Sequence, residues 1–503
     1  MASSAAGDSA SRHLEVERKF DVVESTVTPS FDGIASVARV ERAPAQTLDA
    51  VYFDTPARDL AAHHITLRRR TGGTDAGWHL KLPAGQGART EVREPLGDGD
   101  DNEVPAELRD VVLAIVRDRP LTPVARIHTN RTVDVLYGAN GTALAEFADD
   151  QVRAWSNGDD DQQWREWELE LAEEGIAEGN ADGELLERLS NRLRDAGAVP
   201  AGHGSKLARV LDSSAPAEES APVPDEPVHR AVAEQIDELL TWDRAVRDDA
   251  HDSVHQMRVT TRKIRSLLQT SGSEFGLSGD AWILDELRQL ASVLGVARDA
   301  EVLAERYEQA LDELPKELVR GPVRERLVDG ASRRYRSGLR KSLSAMRSQR
   351  YFRLLDALEA LVVAEPPPPP PGEEPPTDTT IGAAYKRVRK HAKRAAKAEA
   401  ENRDEALHRI RKGAKRLRYT AAATGANKTS DAAKNIQSLL GDHQDSVVSR
   451  AHLSQQADAA HAAGEDTFTY GLLYQREADL AQRCREQLDD ALKALDKAVN
   501  KEL

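Results

Sequence analysis

Residues 13–20 read HLEVERKF, with Glu15, Glu17 and Lys19 at every second position. Successive side chains of a strand point to opposite faces, so these three share one face. Two carboxylates about 7 Å apart then look into the same space, with an ammonium beyond them. Enclosed, such a pair is costly unless a cation lies between the carboxylates. A hard divalent cation with oxygen ligands resolves the conflict. The segment WREWELEL (164–171) repeats the arrangement with Glu168 and Glu170. Arg68 and Arg70 also share a strand face, as do His79 and Lys81.

Carboxylates on one wall and cations on the others suit a metal-bound triphosphate. The metal neutralises and polarises phosphate oxygens, while Lys and Arg hold the rest and absorb charge developing in the transition state. The same alternation also describes a strand face bathed in water. The residues alone leave both readings open.

Working outward, residues 13–211 hold about eight short strand-like segments separated by Gly, Asp and Asn turns such as Gly72-Gly73 and Asn140-Gly141. Helical interruptions are expected near 105–117 and 183–196. Strands at this spacing predict a closed barrel or a sandwich. Residues 212–227, DSSAPAEESAPVPDEP, have linker composition. From 228 onward apolar residues recur at three- and four-residue spacing, which predicts helices. A proline run at 366–371, inside 365–380, cannot continue a helix and divides this half into 228–364 and 381–503.

The two helical parts repeat each other. VHQMRVTTRKIRSLL (254–268) matches LHRIRKGAKRLRYTA (407–421), pairing His255, Arg258, Arg262, Lys263 and Arg265 with His408, Arg411, Lys415, Arg416 and Arg418 at one offset of 153. Further on, LGVARDAEV (294–302) pairs with LGDHQDSVV (440–448), and Asp299 with Asp445. The spacing 3, 4, 3 puts each His and its three cations along one helix face, about a turn apart. Such a row repels itself, and a linear polyanion with regular phosphates relieves the repulsion through counterion release. Arg supplies forked donors to phosphate oxygens, with Lys412 adding a further cation. A solvated charged face is the alternative. His251 and His255, four apart, keep a minor metal reading open in the first repeat.

The net charge of −16 disfavours indiscriminate nucleic-acid binding, yet residues 381–420 carry 14 Lys and Arg against 4 Asp and Glu. Anion binding is thus expected at chosen faces. Cys484 is the only cysteine, which excludes a disulfide framework within one chain and fits a reducing compartment. No apolar run of about 18 residues marks a membrane span. Residues 1–12 read as a disordered tail. The expectation is a cytoplasmic protein, with no membrane and no nucleic acid among its partners.

HLEVERKF resembles the ExExK signature of CYTH domains, the triphosphate tunnel metalloenzymes. VYFDTPARDLAAHHITLRRR, WHLKLP, NRTVDVLY, LAEFADDQVRAW, EWELEL and HGSKLARVL follow in the family's order over 13–211. The resemblance implies an eight-stranded antiparallel barrel around a tunnel. It implies metal-site acids at Glu15, Glu17, Glu168 and Glu170 and phosphate-binding bases at Lys19, Arg68, Arg70, Lys81, Arg131 and Lys206. Glu15, Glu17 and Lys19 become the implied catalytic set, with Mg²⁺ or Mn²⁺ as cofactor. Asp149 or Asp150 falls at an acidic strand-end position, with the register left open.

Residues 228–503 resemble the CHAD family, whose fold is two four-helix bundles and whose ligand is inorganic polyphosphate. The matching segments are the two His-led repeats, the RDAEVL stretch and LLGDHQDSVV. Ala297-Arg298 departs from the His443-Gln444 of the second repeat. The joint resemblance implies a multidomain inorganic triphosphatase that also binds polyphosphate through His255, Arg258, Arg262, Lys263, Arg265, His408, Arg411, Lys412, Lys415, Arg416 and Arg418. A non-catalytic polyphosphate-binding protein, or a triphosphatase acting on an organic triphosphate, is the alternative. A nucleotide cyclase lacks a visible base site. A nucleic-acid scaffold lacks stacking aromatics beyond Tyr385 and Tyr419.

Overall fold

A computed structural model describes residues 11–85, 88–97, 99–100, 102–156, 161–172, 184–212, 226–272, 275–277, 281–364, 381–399, 402–423 and 425–502. Most of the expected tail, residues 213–225 of the expected linker 212–227 and the proline-rich stretch at 365–380 lie outside the described residues, while Asp212 and Pro227 at the linker's ends belong to helices. The chain divides into two compact units, Met1–Leu267 with Ala345–Ala364, and Leu268–Ser344 with Glu365–Leu503.

Eight strands of the first unit close on themselves. They are β1 (Ser11–Val22), β2 (Gln46–Asp54), β3 (Thr66–Thr71), β4 (Gly77–Pro83), β5 (Ala88–Glu94), β6 (Thr122–Tyr137), β7 (Ala143–Ser156) and β8 (Gln162–Leu171). The order is β1-β5-β4-β3-β2-β6-β7-β8, every pair antiparallel, and β8 returns to β1. Short strands Arg39–Arg42 and Val199–Pro200 add to β6 and β1. Closure answers the barrel-or-sandwich question: a barrel has no open edge.

The pleat sends the charged set inward and the apolar set outward. Phe20, Trp167, Leu169 and Leu171 lie on the outer wall, where Leu185, Leu186, Leu189 and Leu193 of helix α1 (Glu184–Asp195) cover them. The leucines recur at helical spacing and are fully or nearly buried. Burying each contributes roughly 1.5–3 kcal/mol. Trp78, Leu80 and Val92 form a second outer cluster with Leu108, Val112 and Ile115 of the helical stretch after β5. One exception faces inward. Leu207, Val210 and Leu211 of helix α2 (Lys206–Asp212) pack on Ala50, Tyr52, Ile127, Val152 and Ala154. These are interior positions, so α2 stoppers one end of the barrel.

Helices α3 (Pro227–Arg247), α4 (Ser253–Thr270, as far as Leu267) and α7 (Gln349–Val363) belong to the same unit as the barrel. Buried Arg117, held at φ 54°, pairs with Asp356 at 2.9 Å and Glu359 at 2.6 Å on α7. Asp110 takes Arg247 of α3 at 3.0 Å and Arg347 at 2.8 Å.

The second unit is helical, with α5 (Trp282–Asp312), α6 (Gly330–Met346, as far as Ser344), α8 (Ile381–Ala395), α9 (Arg403–Ala423), α10 (Asn427–Ala462) and α11 (Phe468–Glu502). Val388 of α8, Ile410, Ala414 and Leu417 of α9, Ile436 and Leu440 of α10, and Leu492 and Leu495 of α11 share one four-helix core. A second cluster joins Tyr307 of α5 to Leu453 of α10 and Tyr470 of α11.

Candidate active site and basic helix faces

Register alone assembles the barrel interior. Across β1 and β8, Glu17 opposes Glu170 and Lys19 opposes Glu168. Across β7 and β8, Asp150 opposes Glu166, and across β6 and β7 it opposes Arg131. On the far wall Lys81 opposes Glu91, His79 opposes Arg68, and Arg68 opposes Tyr52. Directly opposed residues of an antiparallel pair share a face, so all of these look inward. The expected strand residues Glu15, Glu17, Lys19, Arg68, Arg70, Lys81, Arg131, Glu168 and Glu170 are thereby brought into one interior, which Lys206 enters from α2.

At the β7–β8 wall a single ammonium binds three acids. Lys206 Nζ lies 2.9 Å from Asp150, 2.7 Å from Glu166 and 2.7 Å from Glu168. Oxygens of these three acids fall within 4.8 Å of one another. Arg131 adds a forked pair to Asp150, at 2.8 and 2.6 Å, and a further bond to Glu168. Lys19 bridges Glu168 and Glu17, 2.6 Å from each. Burial disfavours these charges, but Lys19, Lys206 and Arg131 hold the Glu168 carboxyl well below its ordinary range. Asp150 is the tunnel-facing member of its pair. Asp149 points to the other face of β7, to Arg165 at 2.6 Å and Thr28 at 3.1 Å.

The β1 end is less balanced. Lys81 Nζ reaches Glu15 at 2.5 Å, and burial with neighbouring Glu91 and Glu17 still raises the Glu15 carboxyl. Burial pushes Glu170 up to about 7, with Glu15, Glu17 and Glu168 adding to it against Lys81. Among the described residues Glu170 has no hydrogen bond or ion pair. A half-buried carboxylate among carboxylates, with no ion pair of its own among the described residues, fits a divalent metal with oxygen ligands. The triad at Asp150, Glu166 and Glu168 is already filled by an ammonium.

The opposite wall is crowded with cations. Arg68 reaches Tyr52 Oη at 3.4 Å and Glu91 at 3.8 Å. Arg70 bonds to Asp75. Burial, with Arg68 and Arg131 nearby, brings the Arg70 guanidinium down to about 9. Arg68 and Arg70 each keep a buried Nε with no acceptor among the described residues. Unspent guanidinium donors among like charges call for an anion.

Three interior acids escaped the sequence reading. Glu91 is fully buried between His79, at 2.8 Å, Lys81 and Arg93. Glu166 and Glu146 share the faces of Glu168 and Glu170 by simple alternation, Glu146 standing exposed opposite Glu170. The two-residue period would have found all three.

In the helices, each ladder residue follows a residue of the buried stripe. His408, Arg411, Lys415 and Arg418 come directly after buried Leu407, Ile410, Ala414 and Leu417. His255, Arg258, Arg262 and Arg265 follow Val254, Met257, Thr261 and Ile264 in the same way. The ladders therefore flank packed seams. All are half-buried except Arg262, which is exposed like Lys263, Lys412 and Arg416. The Nε and Nη2 edge of the Arg411 guanidinium faces Gly441 of α10, 3.6 Å from where a β-carbon would stand. His408 Nδ1 and Arg411 Nε have no partner among the described residues. Burial, then Lys412 and Arg411, lowers the His408 imidazole. His391 of α8, which the repeat did not mark, is lowered by burial and by Arg394, Arg409 and Lys390. Burial first, then Asp442 and Asp299, lifts the Asp445 carboxyl against Arg306 and Arg411.

Among the described residues no helix is long and apolar enough to cross a membrane. The CYTH domain model matches residues 13–198 and the CHAD domain model residues 230–454. The uncharacterized protein Rv2226 of Mycobacterium tuberculosis is 67% identical over 507 residues, covering 97% of this chain and 98% of that one. The CHAD domain from the plant Ricinus communis is 23% identical over 53% of this chain and 90% of its own, with a TM-score of 0.39. HpAC1 from Hippeastrum, described as having a dominant triphosphatase activity, is 18% identical over 40% of this chain and 95% of its own, with a TM-score of 0.25. Both family signatures thus lie in one chain, and the protein belongs to the CYTH–CHAD proteins, a triphosphate-tunnel barrel joined to a CHAD helical region.

Proposed function

We propose that the barrel hydrolyses inorganic triphosphate with a divalent cation, and that the basic helix faces bind polyphosphate. One observation carries the first part: Arg68 and Arg70 hold unspent buried donors across the tunnel from an uncompensated Glu170. That polarity matches an anion bound on one side and a cation on the other.

In this reading Glu15, Glu17, Glu168 and Glu170 would hold Mg²⁺ or Mn²⁺. The ion would neutralise phosphate oxygens and make the terminal phosphorus more open to water. Arg68, Arg70, Arg131, Lys81 and Lys206 grip the phosphate chain by charge-assisted bonds, which fix it in line and spread the developing charge. Lys19, between Glu17 and Glu168, keeps both carboxylates ionised. No adenine- or thiamine-shaped apolar pocket is needed for this substrate.

In the helices, His255, Arg258, Arg262, Lys263 and Arg265, and His408, Arg411, Lys412, Lys415, Arg416 and Arg418, contact successive phosphates. The half-buried guanidiniums supply forked donors, and the exposed lysines and arginines supply counterion release.

Phosphate release from tripolyphosphate with Mg²⁺, Mn²⁺ or EDTA tests the reading. Metal-dependent release that Glu15→Ala/Glu17→Ala loses is expected. No release with either metal, beside tight polyphosphate binding, would leave a binding protein.

A further inference from the structure

A cleft of about 430 Å³ lies on the outer wall of the barrel, away from its interior. Its lining includes Arg12 of β1, Val92 of β5, Asp110, and Arg244, Arg247 and Arg347. Arg12 and Val92 are paired in register on the outer face of their strands. Glu15 and Glu91 look inward from those same two strands.

Of the carboxylates here, exposed Glu107 has no hydrogen bond or ion pair among the described residues, and the others are already engaged. Asp243 accepts from Arg247 at 2.6 Å and from Tyr351 Oη at 2.8 Å. Asp110 is shared between Arg247 at 3.0 Å and Arg347 at 2.8 and 2.9 Å. Asp248 is bonded to Arg12. Arg244 remains, with no hydrogen bond or ion pair among the described residues. Burial pulls its guanidinium below the ordinary value, and Asp243 alone opposes that. A partly buried guanidinium without an acceptor among the described residues, with three more guanidiniums lining the same cleft, favours an added anion. The volume admits one or two phosphoryl groups and excludes a folded polymer.

We propose that this cleft is a second oxoanion site, separate from the tunnel and from the helix ladders, in which Arg244 and Arg347 grip a phosphoryl group and Arg12 faces it from β1. The ligand is free orthophosphate or pyrophosphate, or the end of a longer phosphate chain.

Crystals of the full chain titrated with tungstate, a tetrahedral oxoanion with a strong anomalous signal, test this without any turnover. Wild type is expected to show a tungsten peak in the cleft between Arg244 and Arg347. Arg244→Gln is expected to weaken that site roughly tenfold or more, as loss of a charged hydrogen bond does, while any tunnel peak persists. Arg347→Gln, at a half-exposed position, gives the same test should Arg244→Gln not fold. Displacement of the cleft tungstate by orthophosphate identifies a small free anion, and displacement by tripolyphosphate alone identifies a chain end. No cleft peak at millimolar tungstate, as when Glu107 swings in to pair with Arg244, overturns the proposal. A peak unchanged in both variants also overturns it.

Discussion

Glu17 and Glu170 stand directly opposite each other across β1 and β8, yet their charges are settled in opposite senses. Burial works against ionisation in both. Lys19 and Lys81 nevertheless hold Glu17 down at about 2, whereas Glu170 is pushed up to about 7 by burial and the surrounding carboxylates. The tunnel is therefore a place where cations are in short supply at one end and in excess at the other.

A stability contrast follows from that imbalance. Glu168→Gln removes the shared partner of Lys19, Arg131 and Lys206. Each cation keeps another acid, Glu17 for Lys19 and Asp150 for Arg131 and Lys206, so the lost charged contacts should cost roughly 1.5–3 kcal/mol. Glu170→Gln removes a carboxylate whose charge the fold disfavours, so stability at pH 7 should rise rather than fall. Urea unfolding of both variants in EDTA measures the difference, and equal losses would speak against this charge distribution.

The helix ladder makes a prediction about salt. Arg411→Ala should weaken polyphosphate binding at every chain length that spans the face. The slope of log affinity against log salt should fall by roughly 0.7–0.9, the share of one cation. Titrations at four or five salt concentrations give the slope. A parallel shift with unchanged slope would mean that Arg411 shapes the helix rather than meeting the polyanion.

Protonation of His408 provides a pH test of the same face. Burial, Lys412 and Arg411 lower this imidazole in the free protein, so it is neutral near pH 7. A bound polyanion favours the imidazolium, so binding takes up protons. Polyphosphate affinity should rise as pH falls from about 7 toward about 5.5, and His408→Ala should flatten that rise. An affinity that is flat in the wild type would contradict the ladder's use of His408.

His452 predicts the opposite trend for stability. Its Nε2 accepts from Arg334 at 2.6 Å and its Nδ1 lies 2.9 Å from Tyr307 Oη. Burial and Arg334 lower the imidazole to about 4. The unfolded chain binds that proton near pH 6.5, so the contribution is intact above about 6.5 and lost as pH falls toward 4. The loss reaches roughly 3 kcal/mol at most. Unfolding midpoints at pH 7 and pH 5 should separate in wild type and converge in His452→Gln.

Much of this was legible in the sequence because the relevant patterns are strictly periodic. A period of two placed Glu15, Glu17, Lys19, Glu168 and Glu170 on one face, and spacing 3, 4, 3 placed His408, Arg411, Lys415 and Arg418 on another. What stayed hidden depends on register between strands far apart in the chain. Nothing local tells that Lys206, on a helix at the end of the barrel segment, inserts among Asp150, Glu166 and Glu168. The choice between Asp149 and Asp150 needed Arg131 on the neighbouring strand. The Tyr307–His452–Arg334 network joins three helices and leaves no local signature.

The central claim separates two chemistries in one chain, and a crossed measurement tests it most directly. Tripolyphosphate turnover with Mn²⁺ and long-chain polyphosphate binding would be measured for wild type, Glu17→Gln and Arg411→Glu/Lys415→Glu/Arg418→Glu. The account predicts that Glu17→Gln loses turnover by roughly 100-fold or more while binding stays intact. It predicts that the triple reversal abolishes long-chain binding while short-chain turnover stays near wild type. Both properties falling together in either variant, or turnover surviving Glu17→Gln, would contradict it.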